Sequence, residues 1–232
     1  MISVCMATYN GEKFIVEQIN SILSQLGEND ELIVSDDGSS DQTIQIVSAL
    51  NDKRIHIYSG HFHSPIYNFE NAIKHARGEI IFLSDQDDIW LPGRVNKLCA
   101  ALKQNDVVVS NAKFMDGEGH LIDKLYFDSM PSFKLLSTIL ANHFFGASMA
   151  FKSSILKYAL PFPRRLAMHD QWIGLMGCIY GKVGFVEEPL LLYRRHGNNA
   201  SFCGVSHNPY RKRFMFRFHT VSNLILRICH IA

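Results

Sequence analysis

Apolar positions along the chain alternate between strand-like and helix-like periods. Ile2 to Met6 is a short apolar run of strand length, and Ile15, Ile19, Ile22 and Leu26 then recur at helical spacing. Leu32, Ile33 and Val34 make a second strand that runs into Asp36-Asp37-Gly38. Ser39 and Gln42 follow with capping-box spacing, and Ile44, Val47 and Leu50 mark the next helical stripe. Ile55 and Ile57 alternate as a third strand; Phe69, Ala72, Ile73 and Ala76 form a third helical face, which Gly78 stops. Ile80 to Leu83 is continuously apolar, as a strand buried on both faces requires. It delivers Ser84-Asp85-Gln86-Asp87-Asp88 before Pro92 opens another helix. Val107 to Val109 reads as a fifth strand. Strands alternating with helices predict an α/β protein with an open, mostly parallel sheet and right-handed crossovers.

Beyond residue 110 the pattern changes. A hairpin is expected to turn at Asp116-Gly117, followed by a helix near Ser132 to Leu140 and a strand at Gly146-Ala147-Ser148. A helix from Asp170 to Tyr180 and a strand from Leu190 to Tyr193 complete this half.

Composition adds one asymmetry to this picture. With 232 residues, 47% hydrophobic and 19% charged, and a formal net charge of +1, the chain is that of a globular protein and gives no sign of a nucleic-acid partner. Glu188 is nevertheless the last acidic residue, and Arg194, Arg195, Arg211, Lys212, Arg213, Arg217 and Arg227 follow it, so the C-terminal end favours anionic partners. Cys5, Cys99, Cys178, Cys203 and Cys229 are scattered, without the spacing of a disulfide framework or a zinc site; a cytoplasmic, reducing setting is expected. The opening residues read as a strand rather than a signal peptide, and Lys134, Asn142 and His143 interrupt the most apolar stretch, so no membrane span is expected.

The candidate chemistry lies in two acidic clusters. Asp85, Asp87 and Asp88 are close enough to repel one another unless a hard cation or donor groups neutralise them, a role that suits Mg2+ or Mn2+; a turn with helix-capping aspartates is the bland alternative. Asp36-Asp37-Gly38-Ser39 taken alone reads equally well as a tight turn with an N-cap. Position shifts the balance: both clusters end neighbouring strands, and in open α/β sheets ligands bind outside the carboxyl ends of the strands. Acidic pockets of this layout also occur in phosphoryl-transfer enzymes and receiver domains.

Taken together, Ala7-Thr8-Tyr9-Asn10-Gly11-Glu12, then Asp36-Asp37-Gly38-Ser39-Ser40-Asp41-Gln42-Thr43, then Asp85-Gln86-Asp87-Asp88 before Trp90-Leu91-Pro92-Gly93-Arg94 resemble the family 2 glycosyltransferases over approximately the first 200 residues. The resemblance implies a GT-A fold, with a Rossmann-like sheet flanked by helices, and inverting transfer of a sugar from a nucleotide diphosphate to a hydroxyl. It implies that Ala7 and Tyr9 line the nucleobase pocket, Asp37 accepts the imide hydrogen of the base, Asp85 lies near the ribose and Asp87 ligates Mn2+ or Mg2+, with Asp88 beside it. His169-Asp170-Gln171-Trp172 looks like the segment that carries the family's catalytic base, which assigns that role to Asp170; a helix cap is the alternative. Tyr193-Arg194-Arg195-His196 is similar to a segment of bacterial members that add rhamnose, and implies Arg195 as a diphosphate ligand and His196 as an additional metal ligand.

On this reading residues 1–206 form the catalytic domain, with a nucleotide-binding half (1–110) and an acceptor half (111–206), and 207–232 form a basic amphipathic tail. The expected partners are a dTDP- or UDP-sugar donor and a glycan or polyprenyl-linked acceptor in bacterial surface polysaccharide synthesis. The tail mixes arginines with Phe214, Phe216, Phe218, Leu224, Ile225 and Ile228, which suits either an anionic membrane at the inner face or a docking helix with solvated arginines. Two rivals remain open. A nucleotidyltransferase would want a Gly-rich phosphate loop, which residues 5 to 15 lack, and a non-catalytic binding module would have no need for both Asp87 and Asp170.

Overall fold

Of the four strands in the first half, those that are apolar on both faces must be covered on both sides, while the alternating third strand stays half-buried at the sheet edge. In the computed structural model, which describes residues 1–197 and 210–231, the four are β1 (Ile2–Thr8), β2 (Glu31–Asp36), β3 (Ile55–Ser59) and β4 (Ile80–Ser84), all parallel, in the order β3-β2-β1-β4. Alternation along β1 sends Val4 and Met6 to one core and Cys5 to the other. The first core is closed by α1 (Ile15–Leu23), α2 (Thr43–Ala49) and α4 (Arg94–Leu102), through Ile15, Ile19, Ile22, Val47, Val95, Leu98 and Leu102. The second is closed by α3 (Pro65–His75) and α7 (His169–Tyr180), through Phe69, Ile73, Trp172, Ile173 and Met176.

The second half adds mixed pairing to this parallel core. β8 (Met149–Lys152) lies antiparallel between β4 and the long β6 (Val107–Asp116), while β9 (Val183–Arg195) runs parallel to β6 and is capped by β5 (Ile89–Trp90). β7 (Leu121–Leu125) folds back on β6 as expected; the Asp116 carboxylate accepts the Glu118 and His120 N–H groups at 2.9 Å and fixes the hairpin turn. The short helices α5 (Leu135–Leu140) and α6 (Leu156–Ala159) lie beside α7, and α8 (Tyr210–Ile231) packs against α5.

Three local expectations give way to the structure. Ser39 does not cap α2: its hydroxyl donates to Asp36, while Asp41 accepts the Thr43 N–H at 3.0 Å and Glu12 accepts that of Gln42 at 2.9 Å. Residues Gly146–Ser148 form a 3-10 turn, because Ser148 folds back onto the Phe145 carbonyl, and the strand starts only at Met149. Gly93, at φ +82°, carries the turn after Pro92, so α4 opens at Arg94. No described helix is long and apolar enough to cross a membrane. Residues 207–209 of the tail lie outside the described residues, as do the side chains of Arg211, Lys212 and Arg213.

Candidate active site

The carboxyl ends of β1, β2 and β4 splay around a cavity of about 410 Å³, where parallel-sheet geometry predicts a ligand. Its wall includes Ala7, Tyr9, Asp37, Asp85 and Asp87, five of the residues singled out above, together with His63, Asn68, Phe69, Gln86 and Tyr193. Asp170, Arg195 and His196 are not part of that wall.

Asp37 is set by the loop it holds. One carboxylate oxygen accepts the Phe62 and His63 N–H groups, and the other accepts the Ser64 N–H at 2.9 Å, which fixes the start of α3. The second oxygen thus retains a lone pair for a ligand. Gly38, at φ +76°, permits the turn, and any Cβ there would lie 2.5 Å from the His61 ring. Across the cavity Gln86 clasps the opposite loop: its amide accepts the Tyr9 N–H at 2.9 Å and donates to the Tyr9 carbonyl at 3.0 Å. Gly11 leaves room for that amide, which a Cβ would approach to 2.3 Å.

The second acidic cluster is held from below by Arg194. Its N–H donates to Asp88 at 3.0 Å, its Nε to the Asp87 carbonyl at 2.9 Å, and its Nη2 to Glu17 at 2.5 Å, while the guanidinium stacks over Phe14. His196 Nε2 sits 2.7 Å from Asp87 Oδ2. Arg195 is half-buried at the end of β9; strand alternation puts it on the same side as Tyr193, a cavity residue. Burial, then the neighbouring Asp87 and Asp170 carboxylates, push Asp85 up to about 7. Asp85 is half-buried and lines the cavity. Burial, followed by Asp87 and Asp85, also raises Asp88, against the pull of the Arg194 N–H and Arg94.

Asp170 stands at the start of α7, close enough for its charge to be felt at Asp85. Burial pushes its carboxyl up to about 6 although three groups donate to it: Gln171 N–H at 2.6 Å, Asn142 Nδ2 at 3.0 Å and Gly146 N–H at 3.1 Å. Its neighbour His169 is buried against Phe69 with both ring nitrogens unpartnered, and burial lowers its pKa to about 3, so it stays neutral at physiological pH. The sequence motifs contain Gln86 and Arg194 without marking a role for either, and Asn142 lies outside them. The strand period of β9 was the one available signal: it separates Arg194 from Arg195 onto opposite faces.

Comparison with known proteins decides the family. The model for glycosyl transferase family 2 matches residues 3–157, more than half of the chain. The chain belongs to that family. Its relatives include the Escherichia coli enzyme WfgD, named as a UDP-Glc:α-D-GlcNAc-diphosphoundecaprenol β-1,3-glucosyltransferase, 33% identical over 53% of this chain and 47% of that one. The Shigella flexneri dTDP-rhamnosyl transferase RfbG is 27% identical over 90% of this chain and 77% of its own. Among solved structures, Staphylococcus aureus TarS 1–349 with UDP-GlcNAc superposes with a TM-score of 0.72 at 22% identity, over 93% of this chain and 64% of TarS 1–349. The Pyrobaculum calidifontis mannosyltransferase PcManGT, with GDP-Man and Mn2+, gives 0.62 at 17%, over 96% and 64%. The expected GT-A fold is shared with these solved structures. The chain spans about half the length of WfgD and under two thirds of TarS 1–349.

PcManGT was solved with Mn2+, and two residues of this chain could hold such a cation. Among the described residues no group of three or more His, Cys, Asp or Glu side chains converges as a metal cage. Asp87 Oδ2 and His196 Nε2 nevertheless sit 2.7 Å apart, in a hydrogen bond that a bound cation would have to replace, and Mg2+ needs only one or two carboxylates when diphosphate oxygens and water complete the shell.

Proposed function

We propose that this protein transfers a sugar from a pyrimidine nucleotide diphosphate to a hydroxyl of a polyprenyl-diphosphate-linked glycan, with inversion at the anomeric carbon. Asp170 carries the reading: a carboxylate raised to about 6 by burial is ionised at neutral pH yet basic enough to accept a proton. Its three N–H donors orient it beside the donor cavity.

In the proposed reaction Ala7 and Tyr9 flank the base and the free lone pair of Asp37 accepts its imide N–H. Asp85 lies against the ribose. Arg195 closes on the diphosphate, a bidentate contact suited to a guanidinium. Asp87 and His196 are the protein ligands of Mn2+ or Mg2+, which when bound offsets charge on the diphosphate. The acceptor oxygen attacks the anomeric carbon from the face opposite the diphosphate; Asp170 takes its proton as the carbon–oxygen bond to the diphosphate breaks. One displacement inverts the configuration and needs no covalent enzyme intermediate.

WfgD supports a UDP-sugar and an undecaprenol-linked acceptor, and RfbG supports a dTDP donor and rhamnose. We favour rhamnose from dTDP, given the Tyr193 to His196 segment and the longer alignment with RfbG. A polyprenyl acceptor would station the enzyme at the inner face of the bacterial cytoplasmic membrane, in the synthesis of a surface polysaccharide.

Calorimetric titration with dTDP, UDP and GDP, each with Mn2+ and with chelator, tests the donor side; metal-dependent binding of dTDP or UDP is expected, and binding of none would refute it. Anomeric proton couplings of the product read the stereochemistry, and retention of configuration would remove Asp170 from its role.

A further inference from the structure

Helix α8 is built inside out. The side chains it turns toward the rest of the protein are mostly polar. Arg217 donates from Nε and Nη2 to the Leu140 carbonyl at 3.0 and 2.8 Å, Asn223 to the Arg164 carbonyl at 3.3 Å, and Arg227 to the Leu160 carbonyl at 2.6 Å. Buried Thr220 and Leu224 complete this inner face. The outer face carries Phe214, Phe218, Val221, Ile225 and Ile228, at steps that alternate between four and three residues and so form one stripe. Phe218 and Ile225 are each 57% exposed, and every described exposed position of α8 is apolar or cysteine.

A helix that docks on its own domain and faces water shows the reverse arrangement, with apolar residues in and guanidinium groups out. A continuous apolar stripe of this size marks an interaction surface. α5, which packs against α8, extends the apolar surface with exposed Leu136 and Leu140.

Charge decides the partner. No Asp or Glu occurs in α8, nor anywhere between Asp128 and Asp170. Lys134, at the start of α5, and Arg164 and Arg165, beside the α8 contact, are exposed. The helix is not apolar enough to cross a bilayer, but its 22 residues span roughly 33 Å in the plane of one.

We infer that the outer faces of α8 and α5 lie on an anionic bilayer, with the apolar stripe sunk to the headgroup–acyl boundary and the basic residues among the headgroups. This deepens the lipid-linked acceptor reading and rests on it for choosing a bilayer over an acidic protein. The attachment also bears on the reaction. Arg217 grips the Leu140 carbonyl, two residues before Asn142, which donates to Asp170. The membrane-facing helix therefore buttresses the segment that orients the base.

Co-sedimentation of the 232-residue protein with vesicles containing phosphatidylglycerol, and with vesicles of phosphatidylcholine alone, tests this. The wild type should bind the anionic vesicles and bind the neutral ones far less. The double variant Phe218→Asp/Ile225→Asp should lose vesicle binding by on the order of tenfold or more, with its melting temperature and its affinity for the nucleotide diphosphate unchanged, because both side chains face outward. Absence of wild-type binding, or equal binding by the variant, would overturn the inference. So would a wild-type dimer in lipid-free sedimentation velocity that the variant dissolves, which would give the face to a second copy. Vesicle binding that persists where no diphosphate binds would support the surface while removing the proposed chemistry, so the two readings fail separately.

Discussion

A carboxylate pair from the first half of the molecule and a single carboxylate from the second are held in opposite ways. In the first half Asp36 and Asp37 are buried, but their charge is spent on the chain itself: Asp36 receives the Thr8 and Ser39 hydroxyls and the Ser39 N–H, and Asp37 receives three successive N–H groups of the 62–64 loop. In the second half Asp170 also receives three N–H donors, yet burial outweighs them and raises its pKa to about 6. The first arrangement builds a rigid rim for a ligand; the second leaves a group whose proton can move at working pH. On the proposed function, rigidity belongs to the donor side and reactivity to the acceptor side.

The sharpest way to break that contrast is Asp170→Asn. It should lower kcat by roughly 10²- to 10⁴-fold while the calorimetric affinity for nucleotide diphosphate stays unchanged; a matching loss of donor affinity would erase the division of labour. Asp37→Ala should do the opposite. By stranding the N–H groups of Phe62, His63 and Ser64 it should cost about 2 to 4 kcal/mol of stability in denaturant titrations and weaken donor binding. Gln86→Ala releases the Tyr9 loop and should raise the donor KM about tenfold with a smaller change in kcat; an unchanged KM would show that the clasp positions nothing.

The smallest expected effect is a shift in pH dependence. Only ionised Asp170 can accept a proton, so kcat/KM should fall as pH drops through about 6. Asn142→Ala removes a hydrogen bond that favours the ionised form, so this acidic limb should move to higher pH. A limb that stays in place would mean that Asn142 does not tune the base.

The same contrast explains what could be seen in the sequence. The parallel half was legible because its strands and helices are short, periodic and alternate along the chain: the stripe Ile15, Ile19, Ile22 is fully buried where the spacing put it. The two acidic clusters could be placed together because strand ends of one sheet converge by topology, whereas Ala7 and Tyr9 joined them only through the family resemblance; all five residues line one cavity. The second half depends on contacts between distant segments. Two-residue β5 exists only because β9 lies beside it, and nothing local announces that Asn142 would reach Asp170 across 28 positions. Nor does helical periodicity say which side of α8 faces the protein, since its arginines satisfy backbone carbonyls that are visible only in three dimensions.

The placement of β8 between β4 and β6 has a consequence for biosynthesis. As the chain leaves the ribosome, β1 to β4 can assemble early, but the free edge of β4 must wait for Met149–Lys152 to emerge. Until then a nascent parallel sheet presents an open, apolar border, the kind of edge that recruits other chains. A fragment ending near residue 110 should therefore aggregate rather than persist as a nucleotide-binding unit, and swapping this half between relatives should succeed only when β8 travels with it.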